Sequence, residues 1–192
     1  MTRRERLQKL YAKWDDCRKC ELGSSRKNLV LYRGSPMSRL VVIGEAPGAD
    51  EDEQGQPFVG LAGKTLDKLF KSAGLSPKKD VFITNMLACR PLGNRKPARE
   101  ETIACRPRLL QVLKIVKPKC LLLLGATAAK LAGVPSISGW RGDIVEVELP
   151  GGLVFESVPT FHPSYLNRLG GKKEIRDLMV KDIMLASHIA NK

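Results

Sequence analysis

The chain has 192 residues, of which 43% are hydrophobic, and a formal net charge of +13. This length supports one substantial core and is short for two full domains, so we expect a single domain over residues 1–192. No stretch resembles a secretory leader or a membrane span, and we expect a cytoplasmic protein that does not bind membranes. The charge predicts an acidic partner, most commonly nucleic acid, although a generically basic protein would share this composition.

Apolar residues recur along the chain with alternating strand-like and helix-like spacing. In chain order we predict helix 3–15, strand 39–43, helix 61–73, strand 81–84, helix 100–116, strand 120–124, helix 126–132, a hairpin of strands 144–147 and 153–157, strand 158–161 and a closing helix around 175–186. Strands that alternate with helices are typical of a parallel sheet covered by helices on both faces. The sequence therefore predicts an α/β fold.

Ligands of such sheets bind beyond the carboxyl ends of the strands, which points to residues 44–48, Asn85 and His162. The Gly/Pro turn at 44–48 would hold Glu45 at the mouth of the sheet, although an ordinary strand-exit turn has the same composition. Asn85 has an amide that pairs well with the edge of a base, while capping is the commoner use of asparagine. His162 starts a proline-containing loop with apolar and cationic tips, which suits an enzyme that extrudes a nucleotide; a histidine in a surface turn is the alternative.

Phe58 lies in a polar loop rich in glycine and proline. Base stacking would explain a large ring there, and anchoring of the loop in the core would explain it equally well. The following segment, residues 60–65, is similar to a phosphate-binding loop, but the earlier glycine of that motif falls on Phe58. A nucleotide-phosphate loop is therefore disfavoured.

Five cysteines in a chain without a secretory signal indicate metal binding or catalysis rather than disulfides. Cys17 and Cys20 have the two-residue spacing of a metal-binding pair, while Cys89 follows a strand and Cys105 lies in a helix. Four thiolates suit zinc or a four-iron cluster, and the wide split of the second pair favours the cluster; unrelated thiols are the alternative. Cys120, in a run of leucines, is predicted to be a small buried core residue.

A basic loop follows the second predicted strand. Residues 90–99 include four cations and no acid, and their glycine and prolines are too frequent for a helix or strand. Such a loop is able to reach phosphates.

Five short segments carry a family resemblance. They are Gly44-Glu-Ala-Pro-Gly48, Gln56-Pro-Phe-Val-Gly60, Thr84-Asn85, Cys89-Arg-Pro with Asn94-Arg95, and His162-Pro-Ser164. In their order and spacing, and with the cysteine pattern, they resemble the family 4 uracil-DNA glycosylases, the iron–sulfur type. The similarity extends from about Cys17 to the final helix. It implies a three-layer α/β/α sandwich with a central, mostly parallel, four-stranded sheet.

The resemblance also assigns roles to individual residues. It implies that uracil stacks on Phe58, that Asn85 reads the base and that His162 stabilises the leaving group. Glu45 is the candidate for positioning the attacking water. The other implied residues of the base site are Gly44, Ala46 and Gly48. The implied cluster ligands are Cys17, Cys20, Cys89 and Cys105. The implied DNA contacts are Arg90, Arg95, Lys96, Ser164, Tyr165, Leu166 and Arg168.

Two departures from the family pattern affect the expected contacts. The stretch after Ser164 lacks the Arg-Asn-Pro ending common in relatives, so either Tyr165 or Leu166 is the expected DNA wedge. Residues 90–101 contain no histidine, which argues against the covalent uracil binding of related proteins.

The implied reaction is hydrolysis of uracil from single- or double-stranded DNA, which releases free uracil and leaves an abasic site. A monomer with a [4Fe-4S] cluster and no diffusible cofactor is expected. The alternatives are a non-catalytic iron–sulfur nucleic-acid-binding protein, a related glycosylase with broader deaminated-base specificity, and a nucleotide-handling or redox enzyme on the same sheet. The missing phosphate-loop and dinucleotide motifs weigh against the last.

Overall fold

One six-stranded sheet runs through the computed structural model, which describes residues 1–192. Its strands are β1 (Arg33–Gly34), β2 (Leu40–Gly44), β3 (Val81–Asn85), β4 (Cys120–Leu124), β5 (Val145–Leu149) and β6 (Leu153–Thr160). Their order is β1-β3-β2-β4-β6-β5. The four central strands are parallel and both edge strands pair antiparallel. The parallel four-stranded centre is confirmed, and the two edge strands enlarge the expected sheet.

Helices pack on both faces of the sheet. They are α1 (Arg3–Ala12), α2 (Leu22–Ser25), α3 (Ala49–Gln54), α4 (Leu61–Ser72), α5 (Arg99–Val116), α6 (Gly125–Ala129), α7 (Ile137–Trp140), α8 (Pro163–Arg168) and α9 (Lys173–Asn191), with 3-10 turns at Leu92–Asn94 and Lys130–Ala132. None of these helices has the length and apolar character needed to cross a bilayer.

Two apolar clusters lie on opposite faces of the sheet. On β4, Leu121 and Leu123 belong to the cluster with α1 and α5, whereas Leu122 and Leu124 belong to the cluster with α4 and α9. Every residue of β2, β3 and β4 is buried, as expected for parallel strands covered on both sides. Each fully buried leucine contributes about 1.5–3 kcal/mol through the hydrophobic effect. The three-layer α/β/α arrangement is therefore confirmed.

The predicted strands 153–157 and 158–161 are one continuous strand, β6. Its first half pairs with β5 and its second half pairs with β4, overlapping at Glu156 and Ser157. Burial alternates along the first half and becomes continuous in the second. The sequence pattern changes where the neighbouring strand changes from β5 to β4, because the exposure of the strand changes there. This change of pattern accounts for the prediction of two strands.

Residues Pro163–Arg168 form helix α8, whereas the sequence predicts a loop after His162. His162 caps it by accepting the Ser164 backbone N–H, and Pro163 occupies the first turn, where its missing N–H costs nothing. The helix is only six residues long, so its periodicity is too short to recognise. The predicted helix 126–132 is also different, since it is α6 followed by a 3-10 turn.

Candidate active site

The candidate site lies along one edge of the sheet, where β2, β3 and β6 end. Gly44 and Asn85 are paired across the last register position of β2 and β3, and His162 follows the end of β6. These strands run parallel, so their carboxyl ends meet at the same edge. The turn at 45–48 and the loop that carries Phe58 complete the site.

Asn85 is buried and has an unused acceptor. The residue is 2% exposed, and its Oδ1 makes no hydrogen bond. Leaving a buried polar atom unpaired costs about 1–3 kcal/mol, so a native structure keeps one where a ligand or water completes it. A capping asparagine would use Oδ1 on the backbone, and Asn85 does not. The amide is therefore available to a bound group that presents an N–H.

Phe58 has an unusual backbone conformation. Its φ is 57°, in the left-handed region that a bulky side chain rarely adopts, and such strain concentrates at functional sites. The residue is 7% exposed, and its ring centroid lies 5.9 Å from that of His162, with 36° between the ring planes. The two rings thus form adjoining walls of the site.

Gly44 lets the amide and the phenyl ring approach the strand end. A Cβ atom on this residue would lie 2.4 Å from Asn85 Oδ1 and 2.5 Å from Phe58 Cζ. Both distances are well inside van der Waals contact, so no larger residue fits without moving one of the two side chains. Gly44 therefore forms the surface over which Asn85 and Phe58 meet.

His162 is held in one tautomer by its neighbours. Its Nδ1 accepts the Ser164 backbone N–H at 3.2 Å and lies 2.8 Å from Ser164 Oγ. Arg168 Nη1 donates to the same Oγ at 3.3 Å, which leaves the hydroxyl hydrogen to point at Nδ1. Nδ1 is therefore an acceptor, and the ring proton belongs on Nε2. Burial, with the Arg168 charge as a second cause, lowers the pKa of His162 to about 4, so the ring is neutral at pH 7.

The turn after β2 carries the other expected site residues. Glu45 is half-buried and takes part in none of the ion pairs, so its carboxylate is free to hold water. Ala46 packs against the first apolar cluster, and the Gly48 N–H donates to Glu51 Oε2 at 3.1 Å.

Glu51 was not predicted, and it connects two segments of the site. Its Oε1 accepts the backbone N–H groups of Val59 and Gly60 at 2.9 and 2.8 Å, while its Oε2 accepts that of Gly48. One carboxylate thus joins the turn after β2 to the loop of Phe58. The position of Glu51 three residues after Gly48, at the start of α3, is a capping pattern that would have indicated the contact with Gly48, while the contacts with Val59 and Gly60 follow only from the tertiary structure.

The basic loop is partly engaged by internal partners. Arg95 donates to both oxygens of Glu101, at 2.9 and 2.5 Å, and Arg90 Nε donates to Asn94 Oδ1 at 2.8 Å. Arg95 lowers the pKa of Glu101, which also accepts the Ala98 N–H at the start of α5. Lys96 is exposed and takes part in no ion pair. Of the three expected DNA contacts in this loop, Arg95 is paired with a carboxylate, Arg90 donates to a neutral amide, and Lys96 has no ion-pair partner.

Helix α8 changes the expectation for the DNA wedge. Leu166 is 4% exposed and belongs to the second apolar cluster, so it is not the exposed tip that we expected. It faces inward because the segment is a helix packed on α4 rather than a loop. Tyr165 is half-buried between the Phe161 ring and the Arg168 guanidinium.

Four cysteines line one pocket on the face of the sheet that α1 and α5 cover. They are Cys17, Cys20, Cys89 and Cys105. Burial raises the pKa of the Cys20 and Cys89 thiols, and Arg26 Nη1 donates to Cys89 Sγ at 3.4 Å, which opposes the effect at Cys89. No three cysteine, histidine or carboxylate side chains are placed to share a single metal ion.

Cys120 lies apart from this pocket, within β4. It is 0% exposed in the second apolar cluster, and burial raises its pKa to about 12. Its predicted role as a small core residue is confirmed.

Comparisons with known proteins identify the family of this chain. Residues 31–183 match the family model of the Uracil DNA glycosylase superfamily. The whole chain is 37% identical to the type-4 uracil-DNA glycosylase of Thermotoga maritima, over 98% of that protein. It is 39% identical to the type-4 uracil-DNA glycosylase of Pyrobaculum aerophilum, over 93% of this chain and 92% of that protein. This chain belongs to the type-4 uracil-DNA glycosylase family. The resemblance inferred from the motifs is thereby confirmed.

The superfamily match covers less of this type-4 uracil-DNA glycosylase chain than the full-length alignment does. The superfamily match contains the candidate site from Gly44 to Arg168 but begins after Cys17 and Cys20. The alignment with the Thermotoga maritima protein includes that cysteine pair, since it covers the whole chain. The candidate base site therefore lies within the superfamily match, whereas the N-terminal cysteine pair lies outside it and within the alignment with the Thermotoga maritima protein.

Proposed function

We propose that this protein hydrolyses the N-glycosidic bond between uracil and deoxyribose in DNA, releasing uracil and leaving an abasic site. The relatives described above bear the name of this activity, and the chain covers nearly their full length. The observation that carries the proposal is the unpaired, buried Oδ1 of Asn85 beside Phe58 and a neutral His162.

Base selection is assigned to Asn85 and Phe58. Oδ1 of Asn85 accepts the N3–H of an everted uracil while its amide donates to O4; cytosine presents the opposite pattern. A mispaired buried amide discriminates by up to roughly 10⁴. Stacking on the Phe58 ring contributes about 1–3 kcal/mol for any base, so it adds affinity and the amide adds specificity.

Bond cleavage is assigned to His162 and Glu45. As the bond from C1′ to N1 breaks, its electron pair goes to the base, and negative charge develops on O2. The Nε2–H of His162 donates a hydrogen bond to O2, and this hydrogen bond strengthens as the negative charge grows. The half-buried Glu45 carboxylate orients a water molecule, and the oxygen of this water attacks C1′. The carboxylate accepts the proton that the water loses.

A [4Fe-4S] cluster on Cys17, Cys20, Cys89 and Cys105 completes the proposal. The four thiols surround one cavity, and no three are placed around a single ion. Zinc ribbons usually bind through two close cysteine pairs, whereas Cys89 and Cys105 are sixteen positions apart, and this wide split favours the cluster. When bound, the cluster supplies four metal–thiolate links that tie the N-terminal segment to β3 and α5, and no reaction step uses it.

DNA binding is assigned to Lys96 and to the exposed side of α8, with Tyr165 as the wedge in place of Leu166. The two segments follow β3 and β6 along the chain, and both of these strands end at the edge where the base site lies. Every proposed site residue comes from one chain, so a monomer is sufficient for the proposed reaction. It works in the compartment that holds the DNA.

The experiment is an excision assay on an oligonucleotide with one uracil, read by alkaline strand scission. Asn85→Ala and His162→Ala are compared with wild type, and His188→Ala is the matched control, because His188 is exposed on α9. Removing one transition-state donor costs on the order of 10² to 10³ in rate, so we expect a loss of that size in His162→Ala and none in the control. Asn85→Ala loses its contacts with uracil and should also excise more slowly. Iron and sulfide analysis tests the cluster against zinc.

Three outcomes would contradict parts of the proposal. If both site variants cleave as fast as wild type, the base site is elsewhere. A wild-type protein that binds the oligonucleotide but releases no base would be a non-catalytic binding protein. Release of hypoxanthine from a matched oligonucleotide at the uracil rate would indicate the broader deaminated-base specificity.

A further inference from the structure

Arg108 is a fully buried arginine between the cysteine pocket and Asn85. It lies in α5 and is 0% exposed. Its Nη2 donates to the backbone oxygens of Asn85 and Met86, at 2.6 and 3.1 Å, and its Nη1 reaches Thr84 Oγ1 at 3.5 Å. Arg108 also lines the pocket of the four cysteines, three residues after Cys105 on the same helix.

The charge of Arg108 has no partner among the carboxylates. None of the ion pairs includes it, and its Nε is buried without a hydrogen bond. Tyr11, whose ionisation the Arg108 charge would favour, does not supply an anion, because burial raises its pKa further than that charge lowers it. A buried charge without a partner strongly destabilises a fold. An anion in the cysteine pocket would remove this penalty.

We propose that Arg108 is a positioning residue that couples the cysteine pocket to base recognition. Its charge is balanced by the anionic iron–sulfur cluster with its four thiolates. Its two donors on the Asn85 and Met86 carbonyls hold the end of β3, and so the base-reading amide, in position. This inference rests on the proposed function and names how the cluster supports it without taking part in the reaction.

Two substitutions separate the charge from the donors. Arg108→Met removes both, whereas Arg108→Lys keeps the charge and loses the planar pair of donors. Arg106→Met is the matched control, because Arg106 is the exposed arginine two positions earlier in α5. Each purified holoprotein is examined for the half-life of the cluster absorbance in chelator and oxidant, the cluster midpoint potential, single-turnover uracil excision, and affinity for abasic DNA.

The charge predicts changes at the cluster. In Arg108→Met we expect a half-life about tenfold shorter, in line with the loss of other groups that support metal ligands. We also expect a more negative midpoint potential, because a nearby cation stabilises the reduced cluster. Arg108→Lys and Arg106→Met should keep the wild-type half-life and potential. A wild-type half-life and potential in Arg108→Met would overturn the charge balance.

The donors predict a change at the base site. In Arg108→Lys we expect excision to slow by about 10- to 100-fold, since a small misplacement of Asn85 is sufficient for this. Affinity for abasic DNA should not change, because that ligand has no base for Asn85 to read; general damage to the fold would weaken both. Wild-type excision by Arg108→Lys would overturn this half of the proposal.

Two further results keep the test decisive. If Arg108→Met does not accumulate as folded holoprotein, Arg108→Gln removes the charge while retaining a hydrogen-bond donor, and the same cluster changes are expected. A wild-type protein that loads the cluster but releases no uracil would overturn the proposed function alone, because the half-life and potential report on Arg108 independently of activity. A wild-type protein without iron would overturn the charge balance.

Discussion

At the scale of single residues, the site depends on which atoms have partners and which do not. Nδ1 of His162 is occupied by Ser164, so the only free ring hydrogen is on Nε2. Oδ1 of Asn85 is left without a donor. A histidine and an asparagine are common in any protein, and it is this division between used and unused atoms that fits these two for the proposed recognition of uracil.

The low pKa of His162 predicts the pH dependence of excision. The pKa lies at about 4, compared with 6.5 for an ordinary histidine, so the ring stays neutral until the pH approaches 4. We expect single-turnover rates to show no inflection near pH 6.5 and to fall only towards pH 4, where a proton on Nδ1 displaces the Ser164 N–H. An inflection near 6.5 that His162→Gln abolishes, while His188→Gln retains it, would contradict this.

The same shift affects stability. Between these two pKa values the unfolded chain binds the proton more readily than the folded chain. The stabilisation from a neutral His162 is therefore fully present above pH 6.5 and is lost as the pH falls to about 4. Denaturant titrations at pH 7 and pH 5 measure this change in the free energy of unfolding. We expect the change between the two pH values to be smaller in His162→Gln than in the wild type.

Gly44→Ala should damage the base site without a general loss of fold. The added methyl would lie 2.4 Å from Asn85 Oδ1 and 2.5 Å from Phe58 Cζ, so one of them must move. A displacement of about 1 Å at a reacting complex costs on the order of 10² in rate, which we expect in single-turnover excision. Gly139→Ala is the control, because a Cβ there has open space and it should excise at the wild-type rate. Equal rates in the two variants would mean that the pocket floor is elsewhere.

At the scale of secondary-structure elements, short helices position the loops of the site. Helix α3 has six residues, and its main contribution is the Glu51 carboxylate that bridges the turn after β2 and the Phe58 loop. Helix α8 is also six residues long and carries the support of His162; Thr65 Oγ1 donates to its Asn167 at 2.7 Å and links it to α4. Elements this short depend on such contacts rather than on their own propensity.

Glu51→Gln should loosen both loops. A glutamine presents one acceptor and one donor where three backbone N–H groups now converge, so at least one N–H loses its partner. We expect a loss of about 1–3 kcal/mol in the free energy of unfolding, together with slower excision. Glu53→Gln in the same helix removes only an exposed ion pair with Lys27 and should cost less than about 1 kcal/mol. Similar losses in denaturant titrations of the two variants would argue against the bridge.

At the scale of the whole molecule, few of the lysine and arginine side chains form ion pairs with carboxylates. The chain has 33 lysine and arginine residues, and five ion pairs engage five of them. Exposed cations left without carboxylates create a positive potential that draws in a polyanion. The +13 charge therefore acts on DNA association rather than on the fold.

Salt should weaken DNA binding steeply, and Lys96 should account for part of that dependence. Each phosphate contact adds about one unit to the slope of log affinity against log salt concentration, so Lys96→Ala should reduce the slope by about one. Lys79→Ala is the control, because Lys79 precedes β3 at the opposite edge of the sheet. Fluorescence anisotropy over a salt series measures both, and equal slopes in the two variants would remove Lys96 from the interface.

The sequence alone determined the order of the main elements and the candidates for the site. The central strands, the long helices and the residues at the strand ends follow from local apolar periodicity and from the rule that ligands bind where parallel strands end. Phe58, Asn85 and His162 were recognisable because each stands in a short motif whose meaning does not need distant contacts.

Only the tertiary structure decided which atoms are free and which segments are joined. It made residues 153–160 one strand, buried Leu166 in a helix, engaged Arg95 with Glu101, and brought Arg108 between the cysteines and Asn85. These results depend on contacts between residues far apart in the chain, or on helices too short to show a period. The local sequence pattern does not predict such contacts or such short helices, since burial and hydrogen-bond partners are properties of the packed molecule.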